Sequence, residues 1–129
     1  MPNHIFINKR INIFKKKIIV DSDKSISIRA ILLASQAVGV SKISNLLESE
    51  DVFSTLKTIK KLGINYTKKK KIYSVEGHGL SNFNSNKNTT INAGNSGTLA
   101  RLILGLLVKT KFRVGLIGDK SLSKRDFSR

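Results

Sequence analysis

Two stretches of this chain run through the same order of strand, helix, strand and helix start, and that repetition narrows the folds open to it. In the first, the apolar run Ile18-Ile19-Val20 precedes a helix predicted over residues 24–38. A strand from Lys42 to Leu47 follows, then a second helix through Val52, Leu56, Ile59 and Leu62. In the second, Thr90 to Asn92 precedes a helix from Thr98 to Val108, a strand from Arg113 to Ile117 and a helix starting near Ser123. Arg29 and Arg101 hold matching places in the first helix of each copy, and Leu46 and Ile117 end the next strand at a nearly constant offset. The fold class implied is α/β (α+β), built from repeated βαβαββ units.

Local signals set the boundaries. Ser22 or Asp23 caps the first helix and Gly39 is expected to stop it. Glu48-Ser49-Glu50-Asp51 brings a capping hydroxyl and acids to the start of the second helix, and Gly63 ends it. Strands at Ile64 to Thr67 and Ile72 to Val75 close the first copy, with Lys68 to Lys71 as a solvated hairpin tip. The first unit thus spans about 21–80, and the Asn- and Ser-rich residues 81–89 form a loop. The second unit, about 90–129, stops just inside its second helix, so the chain is expected to be the N-terminal segment of something longer. Ahead of both, Ile5 to Ile7 and Ile11 to Phe14 read as short strands around Lys9-Arg10.

The strand-to-helix junctions carry the chemistry. Asp23-Lys24-Ser25-Ile26-Ser27-Ile28-Arg29 gathers two cations and a hydroxyl at a helix N-terminus, where unpaired N–H groups and the helix dipole favour an anion. Ser25 and Arg29 are i,i+4 and share a face. As a plain cap, the segment would need no ligand. Yet cations in a first helical turn oppose the dipole at about 0.3–1 kcal/mol each, and an anion held between them removes that conflict. Gly94-Asn95-Ser96-Gly97-Thr98 stands at the matching junction of the second copy. Its two glycines allow close backbone approach to a ligand, although the stretch is neither a Walker A loop nor a GxGxxG motif. Gly118-Asp119-Lys120-Ser121-Leu122-Ser123-Lys124-Arg125 forms a third basic junction. Three such junctions on one edge of an open α/β layer would make a basic cleft.

Charge agrees with anionic partners but does not choose among them. The 129 residues carry 24 Lys and Arg against 8 Asp and Glu, a formal charge of +16. A small basic nucleic-acid-binding protein is the alternative reading. Only 6% of the residues are aromatic, and no RNP-like or helix-turn-helix signature appears, which argues against nucleic acid as a partner. The absence of cysteine excludes disulfides and thiolate zinc sites, and His4 and His78 are isolated, so no metal is expected. No apolar run approaches the ~20 residues that span a bilayer, and the N-terminus lacks a signal-peptide core. No membrane association is expected, and a cytoplasmic location is the default.

Four motifs in order resemble the N-terminal part of the 5-enolpyruvylshikimate-3-phosphate synthase family, the 3-phosphoshikimate 1-carboxyvinyltransferases of the shikimate pathway. They are Asp23-Lys24-Ser25 with Arg29, Leu47-Glu48-Ser49-Glu50-Asp51-Val52, Gly94 to Arg101, and Gly118 to Arg125. The resemblance implies transfer of the enolpyruvyl group from phosphoenolpyruvate to the 5-hydroxyl of shikimate 3-phosphate, without a cofactor, in an enzyme monomeric at full length. It assigns Lys24 to both substrates, Ser25 and Arg29 to shikimate 3-phosphate, and Asn95, Gly97 and Arg125 to phosphoenolpyruvate. Both substrates carry a phosphate and a carboxylate, which suit arginine forks and lysine point charges. The implied fold is an inside-out α/β barrel of two domains, each of three βαβαββ units. Residues 1–20 would lie beside the C-terminal domain, and 21–129 would form part of the N-terminal one. The family's remaining acid–base groups come largely from the C-terminal domain, so this segment alone is expected to be inactive. Asp21-Ser22 stands where the family has Pro-Gly, and Ile28 replaces a commonly polar residue. Asp126-Phe127 replaces Pro-Met and sets a carboxylate beside Arg125, where a pair between the two would lower the local positive potential.

Overall fold

The computed structural model describes residues 21–85 and 88–128, so the strands expected before Asp21 lie outside it. Helix α1 (Lys24–Gln36) opens on Asp23, whose Oδ1 accepts the Ile26 N–H at 2.7 Å. Ser27, Ile28, Ile31, Leu32, Ala34 and Ser35 form its buried face at helical spacing. The Ser27 hydroxyl donates to the Asp23 carbonyl (2.6 Å) and accepts from the Leu47 N–H (3.0 Å), tying the first turn to the next loop.

Gly39 does not stop this helix. The extended residue Ala37 closes it, its N–H reaching the carbonyls of Leu33 and Ala34. Strand β1 (Val38–Ser44) starts at once, with Gly39 inside it at φ +88°. The strand therefore begins four residues before the alternating pattern of Lys42 to Leu47, and Leu46 lies beyond its end. Pairing with a neighbouring strand, rather than side-chain alternation, sets where it begins.

Helix α2 (Glu50–Lys61) has Glu50 and Asp51 in its first turn and Lys60 and Lys61 in its last, the charge order its dipole prefers. Leu62 caps it, and Gly63 turns the chain at φ +87°, a conformation costly for any residue with a side chain. Strands β2 (Tyr66–Lys69) and β3 (Ile72–His78) make an antiparallel hairpin. Only Lys70 and Lys71 form its tip. Lys68 and Lys69 lie in β2, and Lys68 pairs with Glu48 at 2.7 Å while covering the Tyr73 ring. Strand β1 pairs antiparallel with β3 from Val38↔His78 to Ser44↔Ile72, giving the sheet order β1-β3-β2. Tyr73, Val75 and Gly77 of β3 alternate inward beneath α1.

The second copy supplies β4 (Thr89–Asn92), α3 (Gly97–Leu107) and β5 (Val114–Ile117). Here β4 and β5 pair in parallel from Thr89↔Val114 to Asn92↔Ile117, with α3 as the crossover. A 3-10 turn, Leu122–Lys124, stands where a fourth helix was expected to start. One apolar core joins the copies through Ile28, Ile31, Leu56, Ile59, Val75, Ile91, Leu99 and Ile103, all fully buried. Among the described residues the result is a mixed α/β segment with two separate sheets and no closed barrel. No described helix is long and apolar enough to cross a membrane.

Candidate active site

The site grows from the parallel pair β4–β5. Because Asn92 stands opposite Ile117, the loops leaving both strands emerge side by side. The Ala93 N–H donates to the Ile117 carbonyl and the Asp119 N–H donates to the Gly94 carbonyl, each at 2.9 Å, which locks the two loops together. Ser96 then caps α3 by accepting the Leu99 N–H.

Side chains complete the junction. The Asp119 carboxylate accepts from the Leu122 N–H with one oxygen and from Asn95 Nδ2 with the other, both at 2.7 Å. Asn95 Oδ1 accepts from Arg125 Nη2 at 3.1 Å. The guanidinium lies against Gly97, where an added Cβ would stand 2.5 Å from Nη1. Asn95, Gly97 and Arg125, separated by up to 30 residues in sequence, are thereby brought into one cluster. The Leu122 N–H, then Asn95, the Ser121 N–H and the charge of Arg125 hold the Asp119 carboxyl below its usual range.

At the first junction, Lys24 Nζ meets Asp51 Oδ2 at 2.8 Å. Asp51 opens α2, and Ser54, one turn on, puts its hydroxyl against Gly94. The first turns of α2 therefore touch both junctions. Ser25 is half-buried and Arg29 is exposed on α1. Arg29 lines an apolar groove of about 230 Å³ with Leu32, Leu33, Leu102 and Leu106 of α1 and α3. Among the described residues, no hydrogen bond or ion pair joins Lys24, Ser25 or Arg29 to the Asn95–Arg125 cluster.

Asp126 does not pair with Arg125. Its carboxylate accepts from the Ser128 N–H at 2.8 Å, and the Ser128 hydroxyl first, then that N–H and the charge of Arg101, hold it below the usual range. Arg101 Nη2 donates to the Asp126 carbonyl at 2.7 Å and stacks over Phe127. The physical reason is that the Arg125 guanidinium already turns toward Asn95, whereas Arg101, from the first turns of α3, reaches the chain just beyond.

Sequence reasoning missed two residues here. Both lie within motifs named above, but neither is given a role at the site: Asp51 reads as a dipole-matched acid, and the third junction reads for its cations rather than for Asp119. An Asp three residues before Leu122 is itself a capping signal, which would have marked it. The assembled groups are two cations, Lys24 beside Asp51 and Arg125 beside Asn95, with Asp119 behind the amide, and among the described residues no cluster could hold a metal ion. Lysine and arginine side chains placed in this way are suited to phosphate or carboxylate groups.

Residues 9–129 match the EPSP synthase (3-phosphoshikimate 1-carboxyvinyltransferase) family. The chain belongs to the EPSP synthase family. Two relatives named 3-phosphoshikimate 1-carboxyvinyltransferase, from Streptococcus pyogenes serotypes M2 (strain MGAS10270) and M1, are each 45% identical over 110 residues, covering 85% of this chain and 25% of theirs. The solved EPSP synthase from Acinetobacter baumannii superposes with a TM-score of 0.75 at 34% identity, over 85% of this chain and 25% of that one. The chain thus spans about a quarter of the length of these EPSP synthase relatives.

Proposed function

We propose that this segment supplies one wall of the cleft in which a 3-phosphoshikimate 1-carboxyvinyltransferase joins phosphoenolpyruvate to shikimate 3-phosphate. The observation that carries the reading is the Asn95–Gly97–Arg125 cluster, set one α2 turn away from the Lys24–Asp51 pair. In this reading Arg125 forks onto an anionic group of phosphoenolpyruvate beside Asn95, and Gly97 leaves room for it. Lys24 serves both substrates as a point charge, and Ser25 and Arg29 hold shikimate 3-phosphate. The two ligands then meet across the start of α2.

The chemistry is an addition followed by an elimination. The 5-hydroxyl oxygen bonds to C2 of phosphoenolpyruvate as C3 gains a proton and the hydroxyl loses one. The C2–O bond to phosphate then breaks and C3 gives up a proton, leaving the enolpyruvyl ether and phosphate. The residues of this segment bind and orient, which is a large share of such catalysis. The remaining acid–base groups belong to the other wall, in a C-terminal domain next to residues 1–20. Residues 21–129 form part of the N-terminal domain of the inside-out barrel, and the enzyme works in the cytoplasm.

A full-length version carrying this segment should release phosphate only when both substrates are present, and Lys24→Met should abolish that release. Release that survives Lys24→Met overturns the reading. The 129-residue chain by itself should bind these anions weakly and show no turnover.

A further inference from the structure

The geometry points to Asp119 as the positioning residue of the anion clamp: it orients Asn95, and through Asn95 it aims the Arg125 guanidinium across Gly97. The inference rests on the proposed phosphoenolpyruvate site and adds a residue that none of the roles assigned above includes.

Each link has one available polarity. A carboxylate only accepts hydrogen bonds, so Asp119 takes the Leu122 N–H on Oδ1 and the amide NH₂ of Asn95 on Oδ2. With its donor side committed to Asp119, Asn95 presents Oδ1 to Arg125. A guanidinium carries five N–H groups in one rigid plane, so holding Nη2 at Asn95 sets the direction of the others. Nη1 is thereby placed over Gly97, at the mouth of α3, where the Gly97 hydrogen leaves space that a methyl would fill. Asp119 is itself rigidly held, since its own N–H donates to Gly94. A rigid acceptor, an amide with one allowed orientation and a planar fork make a relay that presets the clamp before any ligand arrives.

An amide at position 119 breaks the relay. Asn offers one oxygen for two donors, so either Leu122 or Asn95 meets an NH₂ group instead. An Asn95 amide released in this way is free to flip and turn its own NH₂ toward Arg125, which repels the fork.

The test uses the 129-residue chain and phosphoenolpyruvate as the probe, followed by ¹H–¹⁵N NMR titration. Asp119→Asn should weaken binding about tenfold, and Arg125→Ala should weaken it at least as much. The double variant should be no weaker than Arg125→Ala alone, because Asp119 acts only through that guanidinium. Additive losses would reduce Asp119 to a structural cap and overturn the inference. Unchanged binding in Asp119→Asn, with loss in Arg125→Ala, overturns the inference and spares the proposed function. Unchanged binding in Arg125→Ala overturns both. If Asp119→Asn does not fold, the wild-type chain decides. As Asp119 titrates, with Arg125 the charged group acting on it, the Asn95 side-chain amide and the Arg125 guanidinium signals should move together with one midpoint below the ordinary carboxylate range. Separate midpoints, or no movement, overturn the relay.

Discussion

Gly97 and Lys24 separate what serves the site from what serves the fold. A methyl at Gly97 meets the end of a flexible arginine side chain, not backbone. Gly97→Ala should therefore leave the melting temperature nearly unchanged, because the guanidinium swings away and Ala suits the start of a helix. The same swing should weaken phosphoenolpyruvate binding about 10- to 100-fold, read by titration of the chain. Unchanged affinity would mean that the guanidinium has no part in binding. Lys24→Met makes the matching case. Lys24 is half exposed, so its pair with Asp51 contributes under about 1 kcal/mol. The start of α2 also stabilises the Asp51 charge once the lysine is gone. A thermal melt should barely move, while phosphate release in a full-length version is lost.

At the scale of elements, the same glycine-to-alanine change has opposite signs at two positions. A Cβ at Gly77 would sit inside the contact radius of the carbonyl oxygens of Ala34 and Ala37. Both are backbone at the end of α1, so the helix must lift off β3, and Gly77→Ala should cost about 1–3 kcal/mol or more. Gly105 lies within α3 with open space around it, and Gly105→Ala should stabilise by about 0.5–1 kcal/mol. Chemical denaturation of the two variants checks both signs. Helix interiors were legible because buried faces repeat at helical spacing, as in Ile28, Ile31 and Leu32 or Val52, Leu56 and Ile59. Element ends were less legible. Gly39 looked like a helix stop, but strand pairing with Gly77 places it in β1. Four adjacent lysines looked like one turn, but two of them pair with β3, and Lys68 finds Glu48 from a distant loop.

For the whole molecule, charge is the dominant condition. A formal charge of +16 on 129 residues repels itself, and salt screens that repulsion as well as the ion pairs Lys24–Asp51 and Lys68–Glu48. Raising ionic strength from low to physiological values should raise the melting temperature; a fall would show that the ion pairs dominate. Acid acts the other way. Lys68 holds Glu48 below its usual range, the Leu122 N–H does so for Asp119, and Ser128 for Asp126. A carboxyl whose pKa is depressed on folding contributes stability above its unfolded pKa and loses it as pH falls through the folded one. Thermal melts should therefore stay level down to about the ordinary carboxylate pKa of ~4 and then fall, as net charge climbs further. A melt unchanged well below that range would count against these interactions.

By itself, the sequence determined the mixed α/β class and the buried helix faces, and it singled out the strand-to-helix junctions as candidate anion sites. These follow from local spacing and from helix termini, which neighbouring residues encode. Only the tertiary structure decided which groups meet. The parallel register of β4 with β5 brings Asp119 to Asn95 and Asn95 to Arg125, and it leaves Asp126 to Arg101 rather than to Arg125. The contacts within that cluster lie 24 and 30 residues apart, and hydrogen bonds at that range depend on how two strands align, which no local pattern states.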